Sequence, residues 1–202
     1  MKRFAKIIST ILHPCFVPIY AIALLMVTGT VYHYYPLRFQ LYLLWVVTLY
    51  SAILPMLTMA LLKRLHRLRG RELPRRYHPA IMMVVGIICY ALYAFTMMKA
   101  PSLIIFRKIA VAGVMCNIYC LVMLCFTRRI STHLTAMGAV TAFFTMLNIA
   151  GEMALFWVLL GTLLASGLLA TVRLYLGRHR SLQLFTAYVG GFIVSIIALL
   201  YI

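Results

Sequence analysis

The chain has 202 residues, of which 65% are hydrophobic and only 10% charged, and 19 Lys and Arg residues against 2 Asp and Glu give it a net charge of +17. Soluble domains are about a quarter charged and less than half apolar, so these values exclude an ordinary soluble protein. With Glu72 and Glu152 as its only carboxylates, the chain also lacks the residues for a carboxylate-pair mechanism at adjacent motifs and for most all-oxygen Ca²⁺ or Mg²⁺ sites.

The apolar residues form runs close to the length of about 20 residues that a membrane-spanning helix needs. The basic residues lie in the short gaps between these runs, as in a polytopic membrane protein. We therefore predict an all-α fold: a single transmembrane helical-bundle domain over residues 1–202, with six to seven transmembrane helices. In chain order, the candidate spans are Ile7–Gly29, Phe39–Leu62, Pro79–Met98, Ile105–Phe126, Leu134–Ala150, Met153–Val172 and Gln183–Ile202.

Prolines interrupt two of these spans. The first run starts like a signal peptide, but His13, Pro14 and Pro18 break it and no clear cleavage site follows. We therefore predict a retained, kinked membrane helix. Pro55 is expected to kink the second span, because proline lacks the backbone N–H and clashes with the preceding helical turn.

The loops predict the orientation of the chain. If seven spans cross, the N-terminal side holds residues 1–6, 63–78, 127–133 and 173–182, and these contain most of the Lys and Arg residues. Basic residues concentrate in cytoplasmic loops, so we expect this side to be cytoplasmic. The expected location is the cytoplasmic (inner) membrane of a bacterium. Membrane lipids are the expected partners; nucleic acid is disfavoured, because topology and anionic lipid already explain the basic loops.

The same side carries four of the histidines, and a fifth, His13, lies just inside the first span. The five cysteines all fall within apolar runs and form no C-x-x-C pair. We interpret the cysteines as small packing residues, and we predict no metal site and no cofactor.

Three local sequences on this side resemble the motifs of one family. They are R-L-Y-L-G-R-H-R-S-L-Q from Arg173 to Gln183, I-S-T-H from Ile130 to His133, and R-G-R-E-L-P-R-R-Y-H-P from Arg69 to Pro79. These segments resemble, in order, the S-R-x5-H-x3-D, P-S-G-H and K-x6-R-P motifs of the type 2 phosphatidic acid phosphatase superfamily. That superfamily contains membrane lipid-phosphate phosphatases related to vanadium haloperoxidases. The chain also resembles a divergent group of short members with H-P-x-F-x-P-x-Y near the start, here His13 to Tyr20.

The resemblance implies a metal-independent phosphatase site. It assigns His179 as the nucleophile that becomes phosphohistidine, and His133 as the acid that protonates the leaving oxygen. It assigns phosphate binding to Arg69, Arg76, Ser131 and Arg173. The chemistry is consistent with these residue types, because catalysis of phosphoryl transfer is mostly positioning by fixed cations and hydrogen-bond donors. Arginine meets phosphate bidentately and stays charged.

The match departs from the family at the residue that orients the nucleophile. Gln183 stands where the family has an acid; its amide oxygen can accept a hydrogen bond from an imidazole but cannot neutralise an imidazolium. Glu72 is expected either to supply the missing carboxylate or to form a local salt bridge with Arg69, Arg75 or Arg76. Thr132 and Ile130 replace the glycine and proline of the second motif.

Three functions remain open at this stage. The first is hydrolysis of a phosphomonoester or diphosphate of a lipid through a histidine nucleophile. The second is a catalytically silent relative that binds lipid phosphate or scaffolds other membrane proteins, which Gln183 favours. The third is a transporter or channel, for which polar residues within the spans are few, chiefly Asn117 and Asn148.

Overall fold

The computed structural model describes residues 9–28, 30–68, 78–98, 103–127, 130–151, 155–177 and 180–201. These residues form helices and connecting turns, with no strand among them. Five of the described helices are long and apolar enough to cross a membrane: Leu37–Leu65, His78–Met97, Ile104–Phe126, Phe156–Tyr175 and Ser181–Tyr201. The prediction of an integral, all-α membrane protein is confirmed, but five helices meet this standard where six to seven spans were predicted.

We number the helices α1 to α7 along the chain. Helix α1 is Val17–Val27, and α2 runs from Leu37–Thr48 through a π-helical turn at Leu49–Ile53 into Leu54–Leu68. The others are α3 at His78–Met97, α4 at Ile104–Thr127, α5 at Thr132–Ile149, α6 at Phe156–Tyr175 and α7 at Ser181–Tyr201.

The two remaining helices account for the difference in number. Helix α1 has only 11 residues, whereas α5, with 18, is long enough but is not among the helices that are also apolar enough to cross. The predicted first span is shorter than expected because His13 to Phe16 form a turn, closed by a 2.8 Å hydrogen bond from the Phe16 N–H to the His13 carbonyl. Pro18 then lies in the first turn of α1, where its missing N–H costs no intrahelical hydrogen bond.

Helix α2 accommodates Pro55 with a π turn. The five π-helical residues Leu49–Ile53 come just before this proline. A proline cannot donate to the carbonyl four residues back and clashes with it, and a wider turn is one way to relieve both problems. The turn also brings the Ser51 hydroxyl to the N-terminal segment, where it donates a 3.1 Å hydrogen bond to the Cys15 carbonyl.

Helix α5 is the central helix of the bundle. Nine of its 18 residues are buried, and it packs against α1, α4, α6 and α7. Around it, α3 pairs with α4, and α2 contacts α1 and α3. Two glycines allow α5 and α7 to approach each other closely. A Cβ on Gly138 would meet the Tyr188 carbonyl, and a Cβ on Gly191 would meet the Thr135 carbonyl. Small residues at such contacts are typical of membrane helix pairs.

Replacing Gly191 by alanine is expected to lower the free energy of unfolding by about 1–3 kcal/mol, because the new methyl would collide with rigid backbone of α5. Gly167→Ala is the matched control, since a Cβ there meets no atom within 4 Å. Alanine favours helix by about 1 kcal/mol over glycine, so the control should be neutral or slightly stabilising. Unfolding titrations of both variants in detergent measure the difference. Equal stabilities would contradict the close α5–α7 contact.

Candidate functional site

Three segments meet at one end of the bundle: the turn before α1, the start of α5 and the end of α6. The rings of His13 and His133 lie edge to face, with centroids 5.2 Å apart and an interplanar angle of 80°. Arg173 lies in the last turn of α6 and is only 5% exposed. Its charge is close enough to His13 to lower the pKa of that imidazole. These three segments thus bring together one cation and two imidazoles. We call Arg173, His13 and His133, with the neighbouring Ser131, the cluster.

His13 is held as a neutral imidazole. Burial, and secondly the charge of Arg173, lower the pKa of His13 below its ordinary value. The Cys15 N–H donates a 3.4 Å hydrogen bond to His13 Nδ1. With Nδ1 acting as the acceptor, the neutral ring carries its proton on Nε2. His13 therefore offers an N–H donor within the cluster without adding a second positive charge beside Arg173.

Ser131 supplies a buried hydroxyl at the N-terminus of α5. It occupies the N-cap position with extended backbone (φ −93°, ψ 92°), yet its side chain makes no capping hydrogen bond. The residue is 2% exposed, and its Oγ has no hydrogen-bond partner among the described residues. Buried hydroxyls are normally hydrogen-bonded. The first N–H groups of any helix have no acceptor within that helix, so this hydroxyl adds a further donor at an end of α5 that is suited to an anion.

The cluster includes three of the residues predicted from the sequence, namely Ser131, His133 and Arg173. Gln183 is half-buried on α7. Its Oε1 accepts a 3.2 Å hydrogen bond from the Arg180 N–H, the reciprocal half of a capping box at the start of that helix. One oxygen lone pair of Gln183 is thus engaged locally. The other predicted site residues lie outside the described part of the chain: Arg69, Glu72, Arg76 and His179.

The connection between α6 and α7 is short. Gly177, just beyond the end of α6, has φ +63°, a left-handed conformation that glycine adopts without strain and that commonly ends helices. Helix α7 begins four residues later, at Ser181. The end of α6, with Arg173, and the start of α7, with Gln183, are therefore close along the chain, and His179 lies between them in the sequence.

His13 is the member of the cluster that the sequence analysis left without a role. The available signal was a histidine directly before proline, inside an apolar run, at the head of the motif H-P-x-F-x-P-x-Y. A histidine in such a place costs solvation energy unless it has polar neighbours. Those neighbours lie far along the chain, so only the fold identifies them.

The described ranges contain no group of three or more His, Cys, Asp or Glu side chains suited to hold a metal ion. The groups that do converge are hydrogen-bond donors and a fixed cation. Such a set is suited to bind an anion with several oxygens, for which phosphate is the common biological example.

No family model, no curated protein and no solved structure matches this chain. The function has to be argued from the residues of the site and their geometry.

Proposed function

We propose that the chain is a lipid-phosphate phosphatase, which hydrolyses a phosphomonoester or diphosphate of a membrane lipid through His179 as nucleophile. The observation that carries the proposal is the grouping of buried Arg173, two imidazoles and the donor-rich start of α5 at one end of an apolar bundle. The resemblance of the Ser131–His133 and Arg173–Gln183 segments to the superfamily motifs supports it independently.

Each residue has a task in the proposed reaction. A phosphoryl group in transfer spreads charge over three oxygens, which Arg173, Ser131 Oγ and the first N–H groups of α5 stabilise. His179 attacks phosphorus, the bond to the leaving oxygen breaks, and His133 gives that oxygen a proton. Water then releases phosphate from His179. His13 donates its Nε2–H to a phosphate oxygen, and Arg69 and Arg76 add charge from the loop before α3.

We further propose that α1 and α5 complete seven crossings, which puts both ends of the chain on opposite sides of the membrane. The start of α5 and the end of α6 then lie on the side with most of the Lys and Arg residues, which is cytoplasmic by the charge rule. The membrane would be the cytoplasmic membrane of a bacterium. Anionic lipid at that surface attracts the basic loops and brings the lipid phosphate to them.

A second candidate function is binding without turnover. It is favoured by Gln183, whose Oε1 caps α7 and which brings no negative charge to the site. A silent relative would hold a lipid phosphate with the same cations and donors, and would serve as a lipid-binding or scaffolding protein in the membrane.

Phosphate release from a panel of lipid phosphates, by purified protein in detergent, tests the proposal. His133→Ala is expected to slow an alkyl phosphate about 10²–10⁴-fold, because a poor leaving group needs the proton. An activated aryl phosphate should be affected far less. His33→Ala is the matched control, since His33 is exposed beyond the other end of α1 and bonds the Met26 carbonyl there. Equal losses on both substrates would remove His133 from the acid role, and no release from any substrate would leave the binding function.

A further inference from the structure

A cavity of about 370 Å³ lies beside the cluster, lined by residues of the turn before α1 and of α1, α2, α3, α4, α5 and α7. Its wall begins at residues next to the site: Pro14 and Cys15 follow His13, and Ile130 and Thr132 flank Ser131. Pro79, at the start of α3 and just after the loop that contains Arg76, also lines it. The cavity therefore reaches residues that adjoin His13, Ser131 and the loop with Arg76.

The cavity is deep and mostly apolar. On α5 its wall continues from Thr132 through Ala139 to Phe143, a distance of about 16 Å at 1.5 Å per residue. Leu199, near the far end of α7, also contributes.

Three of the polar side chains of the wall are hydrogen-bonded within the protein. The Ser51 hydroxyl donates to the Cys15 carbonyl, and the Asn117 amide donates to the Gly113 carbonyl. The Thr135 hydroxyl donates to the Ser131 carbonyl. The surface that a ligand would contact is accordingly mostly apolar.

We propose that this cavity binds the hydrocarbon chain of the substrate, and that it takes one chain only. This inference rests on the proposed function, and it narrows the substrate class to phosphates or diphosphates of a single alkyl or isoprenyl chain. At about 30 Å³ for each water-sized group, the volume holds about a dozen carbon groups. That is the first dozen carbons of one chain, whereas two acyl chains side by side would each enter by only about six carbons. The phosphate then lies at the cavity mouth, against Arg173 and Ser131.

A second cavity, of about 410 Å³, lies between α1, α5 and α6. It is a lipid-facing groove, as Trp157 in its wall is 75% exposed. Its wall on α6 stops at Ala165, two turns from Arg173, and Leu12 is its only lining residue directly beside a cluster residue. The groove is less suited to a chain whose phosphate is held by the cluster, and it is the alternative location in the tests below.

The first test is a series of straight-chain alkyl phosphates with 4 to about 16 carbons. Each methylene that enters the cavity is expected to raise kcat/KM by up to about fourfold, with a plateau near 12 carbons. Ala139→Phe fills the cavity and should reduce the long-chain values to that of butyl phosphate, while butyl phosphate itself changes less than about twofold. Ala91→Phe is the matched control, because Ala91 is exposed on α3 and lines neither cavity. A wild-type protein whose kcat/KM does not depend on chain length would overturn the inference and leave the phosphatase in place.

The second test does not depend on turnover. The His179→Ala variant, which in the proposed mechanism binds the probe without hydrolysing it, is photolabelled in detergent with dodecyl phosphate that carries a diazirine at the chain end, and the labelled peptides are mapped by mass spectrometry. We expect label on α3, α4 and the Phe143 region of α5, reduced by an excess of dodecyl phosphate and not by butyl phosphate. Label on the Trp157 groove or on the outer faces of the bundle would refute the cavity. Cavity labelling, together with a wild-type protein that releases no phosphate, would refute the phosphatase and keep the chain site.

Discussion

His179→Ala is expected to reduce phosphate release to the background rate, a loss of at least about 10⁴-fold, because the covalent intermediate has no other proposed acceptor. A rapid alkaline quench of the wild type with a phosphate-labelled substrate should trap acid-labile phosphohistidine, and the variant should trap none. The variant should still bind the lipid phosphate, since Arg173, Ser131 and His133 remain.

The control for His179→Ala is again His33→Ala, which removes an imidazole outside the cluster and should keep full activity. Peptide mapping of the trapped wild type identifies the phosphorylated residue. Phosphate on His13 or His133, or near-normal turnover by the His179 variant, would show that the nucleophile has been misassigned. The cluster would then work with different roles for its imidazoles.

Arg173→Lys is expected to lower kcat/KM by about 10²–10³-fold, which is the usual cost of removing one transition-state donor. Lysine keeps the charge but replaces a planar fork by a point charge, so bidentate contact with phosphate is lost. The control is Arg180→Lys, at the exposed start of α7, for which we expect little change.

Arg173→Gln gives a readout that does not involve catalysis. The Arg173 cation disfavours protonation of His13, so its removal is expected to raise the pKa of His13, which burial alone then holds below the ordinary value. Titration of the labelled imidazole by NMR, in wild type and variant, measures the shift. Among the residues that the structure describes, the charged and titratable groups around His13 include Arg173 on α6, His133 on α5 and Cys15 in its own turn. An unchanged pKa would contradict the proximity of His13 and Arg173, whether or not the protein is an enzyme.

The sequence predicts the long helices well where the apolar run is uninterrupted. The predicted spans Pro79–Met98 and Ile105–Phe126 agree with α3 and α4 to within one residue at each end. The sixth span, predicted as Met153–Val172, lies three residues too early, since α6 is Phe156–Tyr175. The hydropathy pattern predicts that this span ends before the first arginine. In the structure Arg173 remains within the helix, and its side chain is buried.

The candidate site could be predicted only in part, because its geometry depends on helix packing. The motif spacing marks Ser131, His133 and Arg173, each of which is recognisable from its neighbours in the chain. The contact between His13 and His133 joins residues 120 positions apart, so no pattern within a short stretch of sequence predicts it. The hydrogen bond from Arg180 to Gln183 is local, but a comparison of motifs treats Gln183 as a replaced acid and overlooks its role as a helix cap.

Helix α2 is longer than the membrane is thick. The 29 residues Leu37–Leu65 measure about 44 Å along the axis, and the run without charges between Arg38 and Lys63 measures about 36 Å, against about 30 Å of hydrocarbon. Such a mismatch is relieved by tilting, and the tilt follows the thickness of the surrounding bilayer. Ser51, near the middle of this helix, is hydrogen-bonded to the Cys15 carbonyl in the same turn as His13. We therefore expect bilayer thickness to influence the position of His13, and the proposed activity to differ between thin and thick bilayers.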